Sequence, residues 1–160
     1  MKIVPANNTH IPGMLRLLRQ VGQVHHQLRP DIFPAGTIKY DAAALEKLLC
    51  DPARPVFIAE KDGQVLGYCF CICRQIAKSG SSVERSELYI DDLCVDENCR
   101  RMGIARALYQ HAAAYGRQQG FQTLTLNVWC GNTGAQQFYE HMGMRQRNIM
   151  MEQSLEECTC

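Results

Sequence analysis

The stretch Leu93-Cys94-Val95-Asp96-Glu97-Asn98-Cys99-Arg100-Arg101-Met102-Gly103-Ile104-Ala105-Arg106 joins an apolar run to a helical one through a short basic turn. Upstream, Leu88 to Val95 has the apolar and β-branched content of a strand. Downstream, Ile104, Leu108, Ala112 and Tyr115 recur at helical spacing from Gly103 to Gln119, and Gly120 supplies a C-terminal stop. A helix that starts right after a strand presents N–H groups without intrahelical partners and the positive end of its dipole. Such an end receives phosphate readily. Gly103 lets a ligand approach the backbone, and Ala105 is nearly as small. Arg100, Arg101 and Arg106 can pair with phosphate oxygens. An ordinary solvated strand-to-helix turn would also accommodate these residues.

Working outward, Lys2 to Ala6 reads as a first strand. A helix capped by Asn8 or Thr9 follows, with Ile11, Met14, Leu15, Leu18 and Val21 on its apolar face. Pro30 and Pro34 make Arg29 to Phe33 a loop. Asp41 caps a second helix carrying Leu45, Leu48 and Leu49. Pro55 to Glu60 and Gln64 to Gln75 form a hairpin around Asp62-Gly63, a strong two-residue turn. After Leu88–Val95 and the main helix, Gln122 to Val128 reads as a strand, Asn132 to His141 as a short helix, and Arg145 to Leu155 as a last strand. The order β-α-α-β-β-β-α-β-α-β predicts an α/β (α+β) fold, a mixed sheet with helices on both faces.

The 160 residues, 46% hydrophobic and 21% charged, fit a single domain over 1–155 with a short tail at 156–160. A net charge of +1 supplies no global field for nucleic acid or an anionic membrane, so neither is an expected partner. No apolar run reaches membrane-spanning length, and Met1 to Asn8 lacks a secretory signal, which predicts a cytoplasmic protein. The nine cysteines form no CxxC pair. Cys69, Cys71 and Cys73 alternate and so share one strand face; free thiols packed as small hydrophobes are favoured over a metal site.

Two blocks carry a family resemblance. Arg100-x-x-Gly103-x-Ala105 after Leu93-Cys94-Val95 looks like the acyl-CoA loop of the GNAT family of N-acetyltransferases. Asn132-Thr133-Gly134-Ala135-Gln136-Gln137-Phe138-Tyr139-Glu140-His141-Met142-Gly143-Met144 resembles the family's N-x-x-A-x-x-F-Y-x-x-x-G-F block, with Met144 in place of the final Phe. The resemblance implies a mostly antiparallel sheet of six to seven strands, splayed open beside the main helix to form an acyl-CoA cleft. It implies acetyl-CoA as cosubstrate and a primary amine as acceptor. The pantetheine arm would pair with backbone groups of Leu93, Cys94 and Val95. The pyrophosphate would lie on the N–H groups from Arg101 through Met102, Gly103, Ile104 and Ala105 to Arg106. Asn132 would cap its helix and touch the pantetheine.

Amide formation needs a neutral amine, and a lysine-like amine with pKa near 10.4 is neutral in only about one molecule in 10³ at pH 7. A general base helps. Tyr89-Ile90-Asp91-Asp92-Leu93 resembles the acidic-pair strand of polyamine and thialysine acetyltransferases, which implies Asp91 as base, with Asp92 as the alternative. In a regular strand Asp91 would face the same side as Leu93 and Val95; a β-bulge, which the family has here, would re-aim it. By the same resemblance Tyr139 is the acid for the departing thiolate, although a core aromatic also suits its helix stripe. A covalent route through Cys94 or Cys130 has no histidine placed to activate it. By the same resemblance His25-His26 and Arg29 to Phe33 are a candidate acceptor wall, although a solvated helix end and a loop anchored by Phe33 account for them equally well. The acceptor stays open between a small amine and an exposed lysine or N-terminal amine, including a ribosomal protein's. A non-catalytic acetyl-CoA-sensing module is the reading of a different class. An edge strand near the C-terminus can pair in a homodimer.

Overall fold

The fold is known from a computed structural model, which describes residues 1–155. Asp62 and Gly63 both take positive φ, 51° and 76°, the two-residue turn that Asp-Gly selects. It closes strands β2 (Val56–Lys61) and β3 (Gln64–Ile76) into the central hairpin. Strand β1 (Lys2–Pro5) pairs antiparallel with β2, and β4 (Arg85–Val95) antiparallel with β3. Strand β5 (Thr123–Leu126) lies parallel to β4. The spatial order is β1-β2-β3-β4-β5. The sheet is mixed and mostly antiparallel as expected, but it has five strands rather than six to seven.

The missing strand is the last one. Arg145 to Leu155 has no strand pairing among the described residues, and Ile149, Met150, Met151 and Leu155 are exposed. A strand needs a neighbouring ladder for its backbone and a face on which to bury alternate side chains; this segment gains neither. Strand β5 is also shorter than its sequence pattern, ending at Leu126 instead of Val128.

Helices α1 (Ile11–Leu28) and α2 (Ala42–Leu49) cover one sheet face. Ile11, Met14, Leu17, Leu18, Leu45 and Leu48 bury against Val56, Ile58, Val65, Tyr68, Phe70 and Cys94. Asp41 caps α2 by accepting from the Ala44 N–H at 2.8 Å. The α1 entry differs from expectation: Asn7, not Asn8 or Thr9, is the capping side chain, because a single 3₁₀ turn, Asn8–His10, precedes the helix. Helix α3 (Ile104–Gln118) covers the opposite face. Its approach is close at Gly67, where an added methyl would meet Leu108 Cδ1 at 3.1 Å and Ile104 Cγ2 at 3.3 Å. Phe57 packs edge-on against His111 and Tyr115 of α3, at 4.6 and 5.3 Å between centroids.

Cys69 and Cys71 share a buried face, with their sulfurs 3.7 Å apart, and all seven described cysteines are free thiols. Cys158 and Cys160 lie outside the described residues, as does the tail at 156–160. Backbone packing divides the chain into two compact units, Met1–Trp129 and the part from Cys130 onward, which holds helix α4 (Thr133–His141). No helix among the described residues is long and apolar enough to cross a membrane.

Candidate active site

In the β3–β4 ladder Ile72 opposes Tyr89 and Cys71 opposes Ile90, but Phe70 opposes Asp92. Asp91 is the extra residue of a β-bulge. Leu88 and Ile90 therefore turn towards the α3 side, while Asp92 and Cys94 turn towards α1. Asp91 turns with Asp92 instead of sharing a side with Leu93 and Val95. The contacts agree: Tyr40 donates its hydroxyl to Asp91 Oδ2 and Tyr68 donates to Asp92 Oδ2, each at 2.9 Å. Both tyrosine rings pack on Phe70, at 5.7 and 4.6 Å.

The bulge also marks where the sheet opens. Strand β5 pairs with β4 only from Glu87 to Ile90, ending at Leu126, while β4 continues to Val95. The Asp96 N–H donates to Leu66 O at 2.8 Å. By the alternation of an antiparallel ladder, Cys94 and Asp92 then bond to β3, and Leu93 and Val95 turn their backbone groups to the open edge. Gln20 takes one of these groups, donating to Val95 O at 2.9 Å while its Oε1 accepts from Glu97 N at 3.0 Å. The Leu93 N–H and C=O and the Val95 N–H line the opening. Cys94 contributes to that edge only as spacer, since its backbone belongs to the ladder and its side chain to the core.

The two carboxylates differ in surroundings. Asp91 is held by Lys39 Nζ at 2.8 Å from Oδ1, by the Tyr40 hydroxyl, and by Arg54 at 3.7 Å. Arg54 also donates to Tyr40 Oη at 2.8 Å. Burial raises Tyr40 to about 12, helped by the Asp91 carboxylate. Burial pushes Asp92 up to about 6, against the pull of the Tyr68 hydroxyl and the Lys39 charge. Tyr68 itself is pushed well above 10 by burial and by Asp92, so it stays a donor. Cys94 is pushed up to about 12, first by burial and then by Asp92. Its sulfur contacts Leu17 O at 3.7 Å and Gln20 Nε2 at 3.4 Å inside the core. A thiol so placed is not a nucleophile at neutral pH.

The turn after β4 leads into the N-terminus of α3. Asp96 accepts from the Asn98 N–H at 3.0 Å and pairs with Arg16. Burial pushes Asp96 up, but the Asn98 N–H and Arg16 outweigh it and hold the carboxyl below its usual value. Arg101 and Gly103 have positive φ, 65° and 79°, and Gly103 is the N-cap of α3. A side chain added at Gly103 would meet nothing within 4 Å, so the space above it is open. No hydrogen bond among the described residues uses the N–H groups from Arg101 to Arg106; the first is Ala107 N to Gly103 O at 3.0 Å. Arg100, Arg101, Met102 and Arg106 are exposed and Ala105 is half-buried, whereas the Ile104 side chain is buried under β3 and offers only its backbone.

In the second unit, Asn132 Oδ1 accepts from the Ala135 N–H at 3.1 Å and caps α4. Tyr139 is half-buried, with its ring edge-on to Phe138 at 5.0 Å.

The loop after α1 carries an aromatic cluster. Phe33 lies 5.0 Å from His25 and 5.4 Å from Trp129, and the Arg29 guanidinium stands 5.7 Å over the Trp129 ring. His26 Nδ1 lies 2.8 Å from Phe33 O. Burial, with Lys39 nearby, lowers His25. Sequence reasoning missed Lys39, Tyr40, Arg54, Tyr68, Gln20 and Trp129. Of these, Trp129 carried a usable signal, as the sole tryptophan just past a strand end.

The model of the family described as Acetyltransferase (GNAT) matches residues 22–144. An uncharacterized N-acetyltransferase of Methanocaldococcus jannaschii is 30% identical over 95 residues, 59% of this chain. That match spans 40% of the archaeal protein, well under its full length. The crystal structure of a mutant of the BH1408 protein from Bacillus halodurans is similar with a TM-score of 0.93 and 27% identity, over 98% of this chain and 100% of that one. An aminoglycoside N-acetyltransferase solved in complex with CoA has a TM-score of 0.70 at 18% identity, over 96% of this chain and 98% of its own; that likeness is one of fold.

Proposed function

The chain belongs to the GNAT acetyltransferase family, and from that premise we propose that it transfers the acetyl group of acetyl-CoA to a primary amine by direct attack in a ternary complex. The observation that carries this reading is the bulge at Asp91. It sets two carboxylates side by side where β4 parts from β5.

The residues fit acyl-CoA. Leu93 and Val95 offer a peptide-like edge to the pantetheine amides. The open space over Gly103, the unused N–H groups from Arg101 to Arg106 and the exposed Arg100, Arg101 and Arg106 suit a pyrophosphate. Acetyl-CoA supplies an activated acyl group and a thiolate leaving group.

The two acids divide the work. Asp91, ringed by Lys39, Arg54 and the Tyr40 hydroxyl, holds the incoming ammonium by exchanging it for Lys39. Asp92, held at about 6, accepts the amine proton at neutral pH, near the optimum for a base. Tyr68 fixes the Asp92 carboxyl through its hydroxyl. Tyr139 is the proposed acid for the thiolate, since a phenol keeps its proton at pH 7. The cluster of His25, Phe33 and Trp129 is the proposed acceptor wall.

An acetyl-CoA turnover screen tests this, read as free thiol against polyamines, amino acids, aminoglycosides and lysine peptides. Amine-dependent thiol release is the expected result. Tight CoA binding without turnover of any amine would assign the chain as a sensor instead.

A further inference from the structure

The chain has five lysines, and one of them stands apart. Lys2 pairs with Glu60 at the β1–β2 edge. Lys47, Lys61 and Lys78 are exposed on α2, the hairpin and the β3–β4 loop. Lys39, on the loop between α1 and α2, reaches the bulge. Its Nζ lies 2.8 Å from Asp91 Oδ1 and 3.2 Å from the Asp91 carbonyl, and its side chain is 41% exposed. The chain thus places a primary amine of its own on Asp91, at the end of the β4–β5 pairing, where the proposed reaction puts the acceptor amine.

We propose that Lys39 is a self-acetylation site: in the absence of an acceptor, its Nζ takes the acetyl group of bound acetyl-CoA. The proposal rests on the acetyltransferase reading above. The Lys39 ammonium passes one proton to the adjacent carboxylate pair, and the freed lone pair attacks the thioester carbonyl. A C–N bond forms and the C–S bond breaks, its electron pair leaving on sulfur, which becomes free CoA thiol by taking up, through relay, the proton first passed to the carboxylate pair. The second amine proton passes to solvent. The products are acetyl-Lys39, CoA and one released proton, with no oxidant or further reactant. Two structural features favour the reaction. The lysine is on a loop rather than a helix or strand, so its stem can swing, and its partner is the extra residue of the bulge, at the end of the β4–β5 pairing. Acetylation also removes the cation from Asp91, so the modified protein has lost its internal occupant of the ammonium site.

The test uses the full chain with acetyl-CoA and no amine, followed by digestion and mass spectrometry over time. Lys2, Lys47, Lys61 and Lys78 report uncatalysed acetylation in the same tube. Lys39 is expected to react faster than these by on the order of tenfold or more, as a positioned amine beside a base does. A saturating amine that turns over should suppress it, and Asp92→Asn should slow Lys39 but not the other four. In Lys39→Arg the fast acetyl signal should vanish. Modification of Lys39 at the rate of the other lysines overturns the proposal. Thiol release with the amine panel, run on the same preparation, separates the two failures. Turnover of amines with Lys39 unmodified overturns self-acetylation alone, whereas no turnover of any amine together with an inert Lys39 overturns the acetyltransferase reading as well.

Discussion

Replacing Asp92 by Asn should make the protein more stable and much less active. Asparagine keeps the shape of aspartate and an oxygen to accept from the Tyr68 hydroxyl, 2.9 Å away. It removes only the charge, which the fold resists by holding the carboxyl at about 6 instead of 3.8. At about 1.36 kcal/mol per pH unit, that displacement costs the folded state about 3 kcal/mol once the group is ionised. Below pH 3.8 the carboxyl is protonated in both folded and unfolded chains, and the cost is absent. Between 3.8 and 6 the unfolded chain gives up its proton first, so folding stability falls as pH rises; above 6 the full cost applies. The opposite dependence belongs to an ion-paired acid. Asp92→Asn should therefore melt close to wild type near pH 4 and about 6–12 °C higher at pH 8, using 2–4 °C per kcal/mol for a chain of this size. Its kcat should drop by about 10²–10⁴-fold. The wild-type kcat with a saturating amine should climb through about pH 6 as Asp92 ionises. Thermal melts at several pH values, paired with rates on the same samples, measure both. An Asn variant that is no more stable at pH 8 than at pH 4, and that turns over at the wild-type rate, would refute the burial argument and the base assignment together.

Tyr139→Phe should leave CoA affinity unchanged and lower kcat by about 10²–10⁴-fold if the phenol protonates the thiolate; a lowered melting temperature with full kcat would instead mark a packing role. Gly103→Glu should lose most CoA affinity in calorimetric titration. Because Gly103 sits at φ 79°, any side chain costs about 1 kcal/mol of stability there, so Gly103→Ala is the control; equal affinity in the two variants would argue against a pyrophosphate over this residue. Cys94→Ser should retain turnover, and no acetyl-cysteine should be trapped at a thiol that burial holds at about 12.

The elements that place the cleft were legible because each has a local cause. Asp62-Gly63 dictates its turn, Asp41 its cap, and Gly103 and Gly120 the limits of α3, all at positive φ where glycine is involved. The bulge was legible only through resemblance: Tyr89-Ile90-Asp91-Asp92-Leu93 shows an unfavourable parity but not its resolution. The Asp91 shell was hidden for a different reason. Lys39, Tyr40 and Arg54 are 52, 51 and 37 residues before Asp91 in the chain, and nothing local in a loop lysine predicts which carboxylate it meets. Arg145 to Leu155 misled because a short apolar run such as Ile149-Met150-Met151 becomes a strand only where a neighbour exists to pair with, and a local pattern cannot report that.

The bulge links two properties that could otherwise be separate. Strand β4 has to be apolar towards α3 through Leu88 and Ile90, both buried, and acidic towards the α1 side immediately afterwards. In a regular strand Ile90 and Asp92 would share a side, which would drive a carboxylate against the apolar surface of α3. One inserted residue reverses the alternation and removes that conflict. A bulge also sharpens local twist, and the β4–β5 pairing stops at the residue before it, with Ile90 opposite Leu126. The edge left without a partner carries the Leu93 and Val95 backbone groups. The insertion that aims the two acids thus stands where the β4–β5 pairing ends, so the acidic pair and the opening between these strands begin at the same place.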